Sequence, residues 1–291
     1  MSAATMDAVL LCTLGDLLLD TIVRLDRPFT RGDDAPAVTR STPGGQAANV
    51  AAWAATLGAQ ARFLGKRGGD AAGALAAYGV EVVGPVAADG RTGMVVSVVE
   101  PDGERTMLSD RGCSPELTPA ETDPAWLAGS GALHLSGYAL LRRPHFDAAL
   151  AAVTMSRAGD ALVSVDLSSA ALIHDLGCDE FRARLARVAP DIVLGNEQEH
   201  ATLGEPPAPG WVLKRGAHGC VVVRDGERLE LPAHPTTEVD TTGAGDAFAA
   251  GWLSARMEGL DDRSCADRAH ALARRVLAHP GAGAPQQEEH P

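Results

Sequence analysis

Short apolar runs alternate with stretches of helical period along most of the chain. Residues 9–14, 61–64, 132–135, 161–166, 192–194, 211–214 and 220–224 are predominantly apolar and too brief for helices, so they read as strands buried on both faces. Between and after them, residues 47–57, 144–158, 178–188, 244–257 and 263–277 read as helices. This alternation predicts an α/β protein: a doubly wound or three-layer α/β/α sandwich around a mostly parallel sheet. Two stretches break the rhythm. Residues 21–39 carry few helix signals, and residues 92–108 read as a hairpin whose strands meet through Pro101-Asp102-Gly103.

Composition narrows the class. A chain of 291 residues holds one large α/β domain or two small ones, and we expect a single domain over residues 8–285 with a disordered tail at 286–291. A net charge of −13 argues against broad nucleic-acid binding, which wants a basic face. No segment approaches the roughly 18 uninterrupted apolar residues of a membrane span, and the apolar run at 8–14 lacks a basic flank, which makes it a buried strand rather than a signal peptide. The five cysteines are odd in number and contain no Cys-x-x-Cys pair, so reduced thiols and a cytoplasmic location are expected.

Candidate chemistry gathers at two glycine-rich helix entries. In Asp240-Thr-Thr-Gly-Ala-Gly-Asp246, the residues Gly243, Ala244 and Gly245 bring bare backbone N–H groups to the start of a helix, where the unpaired donors and the helix dipole favour an anion. Asp246, in the same turn, is placed to take a proton from a hydroxyl held against that anion. The pair points to phosphoryl transfer to an alcohol. A loop with an ordinary N-terminal cap would use the same residue types. Near the other end, Pro43-Gly44-Gly45-Gln46-Ala47-Ala48-Asn49 also sets two glycines before a helix, and Asn49 could offer its amide to sugar hydroxyls. Taken alone, such a run is more often a tight helix entry.

With both motifs in order about two hundred residues apart, the chain resembles the ribokinase, or PfkB, carbohydrate kinase family. Gly15 followed by Asp20, the run Asp102-Gly103-Glu104-Arg105-Thr106, Asn196-x-x-Glu199 and Lys214-Arg-Gly-Ala-His-Gly219 fall in the same register. The resemblance implies a ribokinase-like fold with a small β lid, formed here by segments 17–42 and 89–113, that covers the sugar. It implies acceptor contacts from Asp20, Gly44, Gly45, Gln46 and Asn49, with Asp20, expected at the C-terminal edge of the first strand where open α/β sheets place ligands, gripping two hydroxyls; a loop carboxylate starting a turn is the alternative for Asp20. It implies ATP contacts from Asn196, Lys214, Gly216 and Gly219. Glu199 would hold the water shell of Mg²⁺, or else serve as an acidic first-turn residue. Asp240 and Thr242 match positions that hold a monovalent cation, commonly K⁺, in many relatives. Lid strands in the family can pair between subunits, which makes a homodimer an expectation.

The chain also departs from the pattern. Ribokinases proper have Asn where this chain has Leu18, and Glu where it reads Ser136-Gly137-Tyr138, so ribose is not the expected acceptor. A different sugar, a sugar acid or a nucleoside stays open. The helices near 71–78 and 263–277 look shorter than in relatives, which predicts lower stability. The expected activity is ATP-dependent phosphorylation of a primary hydroxyl on a sugar-like metabolite. The alternatives are a nucleoside kinase of adenosine or pseudouridine type, and an idle sugar or nucleotide sensor on the same fold.

Overall fold

The computed structural model describes residues 9–69, 71–88, 90–236, 242–277 and 284. In chain order its strands are β1 (Leu10–Leu14), β2 (Leu18–Leu25), β3 (Ala37–Gly44), β4 (Gln60–Leu64), β5 (Val80–Val83), β6 (Thr92–Val99), β7 (Arg105–Gly112), β8 (Ser130–Ser136), β9 (Leu162–Asp166), β10 (Ile192–Asn196), β11 (Gly210–Lys214), β12 (Cys220–Arg224) and β13 (Glu227–Leu231). The helices are α1 (Gln46–Ala55), α2 (Ala71–Ala76), α3 (His145–Arg157), α4 (Ala170–Leu176), α5 (Cys178–Val188), α6 (Glu197–Leu203), α7 (Ala244–Met257) and α8 (Asp262–Leu277).

Among the described residues, nine strands form one sheet in the order β13-β12-β11-β10-β9-β8-β1-β4-β5. Pairing is parallel from β5 to β11, and β12 and β13 close one edge antiparallel. Side chains alternate across it. Leu11 of β1 enters a core with α1, α7 and α8, while Leu10, Cys12 and Leu14 enter a second core with α3 and α5. The result is three layers, α/β/α, with the central strands covered on both faces as their apolar runs require.

Helix sequence follows layer position. Nearly every residue of the alanine-rich α1 is buried, whereas α5 buries only Phe181, Leu185 and Val188, one stripe at helical spacing. Close packing of α7 on α8 depends on small residues: a Cβ on Gly251 would lie 2.8 Å from the Ala269 Cα.

A second, four-stranded sheet in the order β3-β2-β6-β7 stands apart from the first. It takes up both stretches that broke the α/β rhythm. The hairpin of β6 and β7 runs four residues beyond the expected end at 108, because Ser109, Asp110 and Arg111 are polar and leave no apolar signal. Two strands were not foreseen, β5 for its brevity and β13 for its charged edge-strand pattern Glu-Arg-Leu-Glu-Leu. Asp20 also moves. The sequence placed it at the C-terminal edge of the first strand, but β1 ends at Leu14, and Gly15 to Leu17 carry the chain out of the main sheet, leaving Asp20 inside β2 of the small sheet.

Candidate active site

The first turn of α7 stands between two cavities. One, of about 620 Å³, is lined by Thr242, Gly243 and Asp246, by Gly45, Gln46 and Asn49 at the start of α1, and by Asp16, Asp20 and Arg111. The other, of about 450 Å³, is lined by Ala244 and Gly245 of the same turn, with Asn196, Lys214, Gly216, Gly219 and His270. Every described residue that the sequence nominated on either side therefore reaches one of the two cavities, apart from Gly44 and Glu199. Asp240 lies outside the described residues.

Gly243 makes this turn possible. It caps α7 at φ +80°, a left-handed conformation that costs glycine nothing. The first intrahelical bond runs from the Ala247 N–H to the Gly243 carbonyl, so the amides of residues 244 to 246 precede it and have no acceptor within the helix.

Asp246 is half-buried and accepts a hydrogen bond from Asn49 Nδ2 at 2.9 Å. Burial pushes its carboxyl up to about 7; the Asn49 bond works against that shift and the charge of Asp166 adds to it. A carboxylate near that value suits proton exchange at neutral pH. One amide hydrogen of Asn49 is thus spent on Asp246.

Asp20 is a second desolvated acid. Its Oδ1 is buried with no partner among the described residues, and burial lifts its carboxyl to about 6. Gly44 of the paired strand β3, in register with Leu18 two residues before Asp20, makes room for it: a Cβ there would sit 2.1 Å from the Asp20 carboxylate. An unpartnered buried acceptor costs free energy until a donor arrives.

Gln46 is held from behind. Its Oε1 accepts from the Ser136 hydroxyl at 2.6 Å and from the Ser168 hydroxyl. Ser168 keeps φ at +72°, a conformation serine adopts under constraint. Asp16, two residues past the end of β1, is 4 % exposed and takes a two-pronged ion pair from Arg111 of the small sheet, 2.5 Å from Nε and 2.7 Å from Nη2.

On the other side, Lys214 Nζ donates to Asp166 Oδ2 at 2.6 Å. Burial alone would lower the Lys214 pKa; Asp166, Glu199 and Asp246 outweigh it and hold the ammonium above its usual value. Asn196 and Glu199 form a capping box at α6, with Glu199 Oε2 accepting from the Asn196 N–H at 2.8 Å and Asn196 Oδ1 accepting from the Glu199 N–H at 2.9 Å. This is the first-turn role the sequence held open for Glu199. Its Oε1 carries no hydrogen bond from a described residue, and burial followed by the nearby Asp166 charge raises its pKa.

A family model described as pfkB family carbohydrate kinase matches residues 9–289. The chain belongs to this family. It is accordingly a phosphotransferase, a sugar or nucleoside kinase that uses ATP. An ATP-dependent ribose-1-phosphate kinase of Halopiger xanaduensis is 28% identical over 284 residues, 92% of each chain. A fructokinase of Escherichia coli is 31% identical, covering 83% of this chain and 82% of its own. Among solved structures, the adenosine kinase of Sinorhizobium meliloti superposes with a TM-score of 0.83 at 27% identity, over 95% of this chain and 96% of that one.

Sequence reasoning about this PfkB kinase missed several residues that line its cavities. Arg111, Tyr138, Arg142 and Ser168 reach the first cavity, and His270 the second. His270 is buried, packs edge-on against Phe248 at 5.2 Å, and has no partner on either ring nitrogen among the described residues. One signal was present. In open α/β sheets the carboxyl ends of the strands surround the ligand, and Ser136 and Asp166 are the last residues of β8 and β9.

Proposed function

We propose that this kinase transfers the γ-phosphoryl group of ATP to a primary hydroxyl of a sugar or sugar-like metabolite bound in the larger cavity. One observation carries the reading. A single helix entry lines both cavities, with Gly243 and Asp246 facing one and Ala244 and Gly245 the other. A phosphoryl group passing between the two must cross that turn.

In this mechanism Asp20 and Gln46 hold the acceptor from one side, while Asn49 orients the Asp246 carboxylate. The acceptor oxygen forms a bond to the γ-phosphorus as the bond to the ADP oxygen breaks, and its proton passes to Asp246. The amides of the α7 turn donate to the phosphoryl oxygens, and Lys214 supplies a positive charge on the nucleotide side. Magnesium bound to the phosphates would neutralise their charge. The residues fit an ion that keeps most of its waters, because Glu199 commits one carboxylate oxygen to the Asn196 N–H and its other oxygen carries no hydrogen bond from a described residue. Closure of the small sheet over the acceptor would exclude water and suppress ATP hydrolysis.

The test is ADP release with magnesium-ATP over a panel of pentoses, hexoses, sugar acids, sugar phosphates and nucleosides. We expect at least one acceptor to be phosphorylated, and Asp246→Asn to abolish turnover while ATP binding by calorimetry persists. Ligand binding without phosphorylation of any member would leave a sensor in place of a kinase.

A further inference from the structure

Two arginines line the acceptor cavity, Arg111 and Arg142. Arg111 is fixed in place. Its Nε and Nη2 are spent on Asp16, Nη2 also donates to the Tyr138 carbonyl at 3.2 Å, and the guanidinium lies 5.5 Å above the Tyr138 ring. Nη1 makes no hydrogen bond to a described residue, so two donors with a set direction remain.

Arg142 is exposed at the cavity and has no ion pair or side-chain hydrogen bond among the described residues. The backbone that carries it is held firmly. Arg184 Nη1 donates to the carbonyls of Leu140 at 2.8 Å and Leu141 at 2.9 Å, and the Phe146 N–H bonds the Arg142 carbonyl at 2.9 Å. In a chain of net charge −13, most arginines have found a carboxylate or carbonyl partner, and this one has not. Asp175 lines the same cavity but makes no ion pair with Arg142; the basic side chain beside it is His174, at 3.9 Å.

We propose that Arg142, with the fixed Nη1 of Arg111, reads an oxyanion carried by the acceptor, a carboxylate or a phosphate ester on the sugar. This rests on the larger cavity being the phosphorylation site. Guanidinium donors match the paired oxygens of both groups. The acids in the cavity oppose it only in part: Arg111 cancels the Asp16 charge and Asp246, raised to about 7, is about half ionised at neutral pH, whereas Asp20 and Asp175 stay mostly charged and leave the anion to the arginine side of the cavity. The neutral amide of Gln46, whose oxygen is taken by Ser136 and Ser168, leaves its nitrogen as a further donor.

Matched pairs that differ only in the anionic group test this: fructose with fructose 1-phosphate, ribose with ribose 1-phosphate, and glucitol with gluconate. Binding is measured by calorimetry and turnover by ADP release. In at least one pair the anionic member should bind about ten- to hundredfold more tightly, and the pair that does so separates phosphate from carboxylate. Arg142→Gln, with thermal unfolding as a check on the fold, should collapse that ratio, and Arg111→Lys should reduce it. No preference in any pair, a preference that survives Arg142→Gln, or efficient turnover confined to neutral sugars or nucleosides would overturn the proposal and leave the kinase reading intact. Tight anion binding lost in Arg142→Gln, with no acceptor phosphorylated, would uphold the subsite and remove the kinase reading instead.

Discussion

Replacing Asn49 by Ala tests whether Asp246 is the base, because Asn49 Nδ2 is the donor that works against burial at that carboxyl, which burial carries to about 7. A hydrogen bond to a charged acceptor is worth about 1.5–3 kcal/mol. At about 1.36 kcal/mol per pKa unit, its loss raises the carboxyl by about one to two units. A base works deprotonated, so kcat/KM for the acceptor climbs with pH through the value of the free enzyme's carboxyl. In the native enzyme that limb should centre near 7, and in Asn49→Ala it should move up by about one to two units. At neutral pH the ionised fraction then drops from about one half to between about a tenth and a hundredth, a five- to fiftyfold loss that is largely regained near pH 10. The assay is the initial rate of ADP release at saturating ATP and limiting acceptor, from about pH 5.5 to about pH 10. Loss of an acceptor contact from the Asn49 amide scales the whole profile and leaves its midpoint alone, so position rather than height is the readout. An Asn49→Ala profile with its acid limb at the native position would refute the reasoning.

Two further outcomes follow from the acceptor side. Gly44→Ala puts a methyl group 2.1 Å from the Asp20 carboxylate and must displace it; acceptor KM should rise about tenfold or more, with ATP KM held, and equal effects on both would contradict this. Asp20→Asn removes a buried carboxylate whose folded pKa, about 6, lies above the ordinary 3.8, so the native state binds more protons than the unfolded one and loses stability as pH rises from about 4 through 6. At pH 8 the variant should therefore melt about 2–4 °C higher than the native enzyme per kcal/mol relieved, with the gap closing toward pH 4 and acceptor turnover reduced. A gap of the same size at pH 4 would show that charge burial is not its cause.

Much of this kinase could be read directly from the order of its residues. Predominantly apolar runs of three to six residues alternating with helical stretches read as strands covered on both faces, so the parallel sheet and its two helical layers followed from local pattern. The helix entry at Gly243 to Asp246 was equally legible, since glycine and an acid at a helix start act through backbone geometry and need no distant partner. Other features required the chain to fold. Asp20 was seen but misplaced, because nothing local reveals that Gly15 to Leu17 leave the main sheet. Arg111 meets Asp16 across 95 residues, and Asn49 meets Asp246 across 197. Arg142 looks like any surface arginine until the cavity beside it is known. Hydrophobic period and backbone preference are short-range and leave their mark in adjacent letters. Which charges are desolvated, paired or left unmatched depends on separations through space, and those arise only when the two sheets and the helices close around a common cleft.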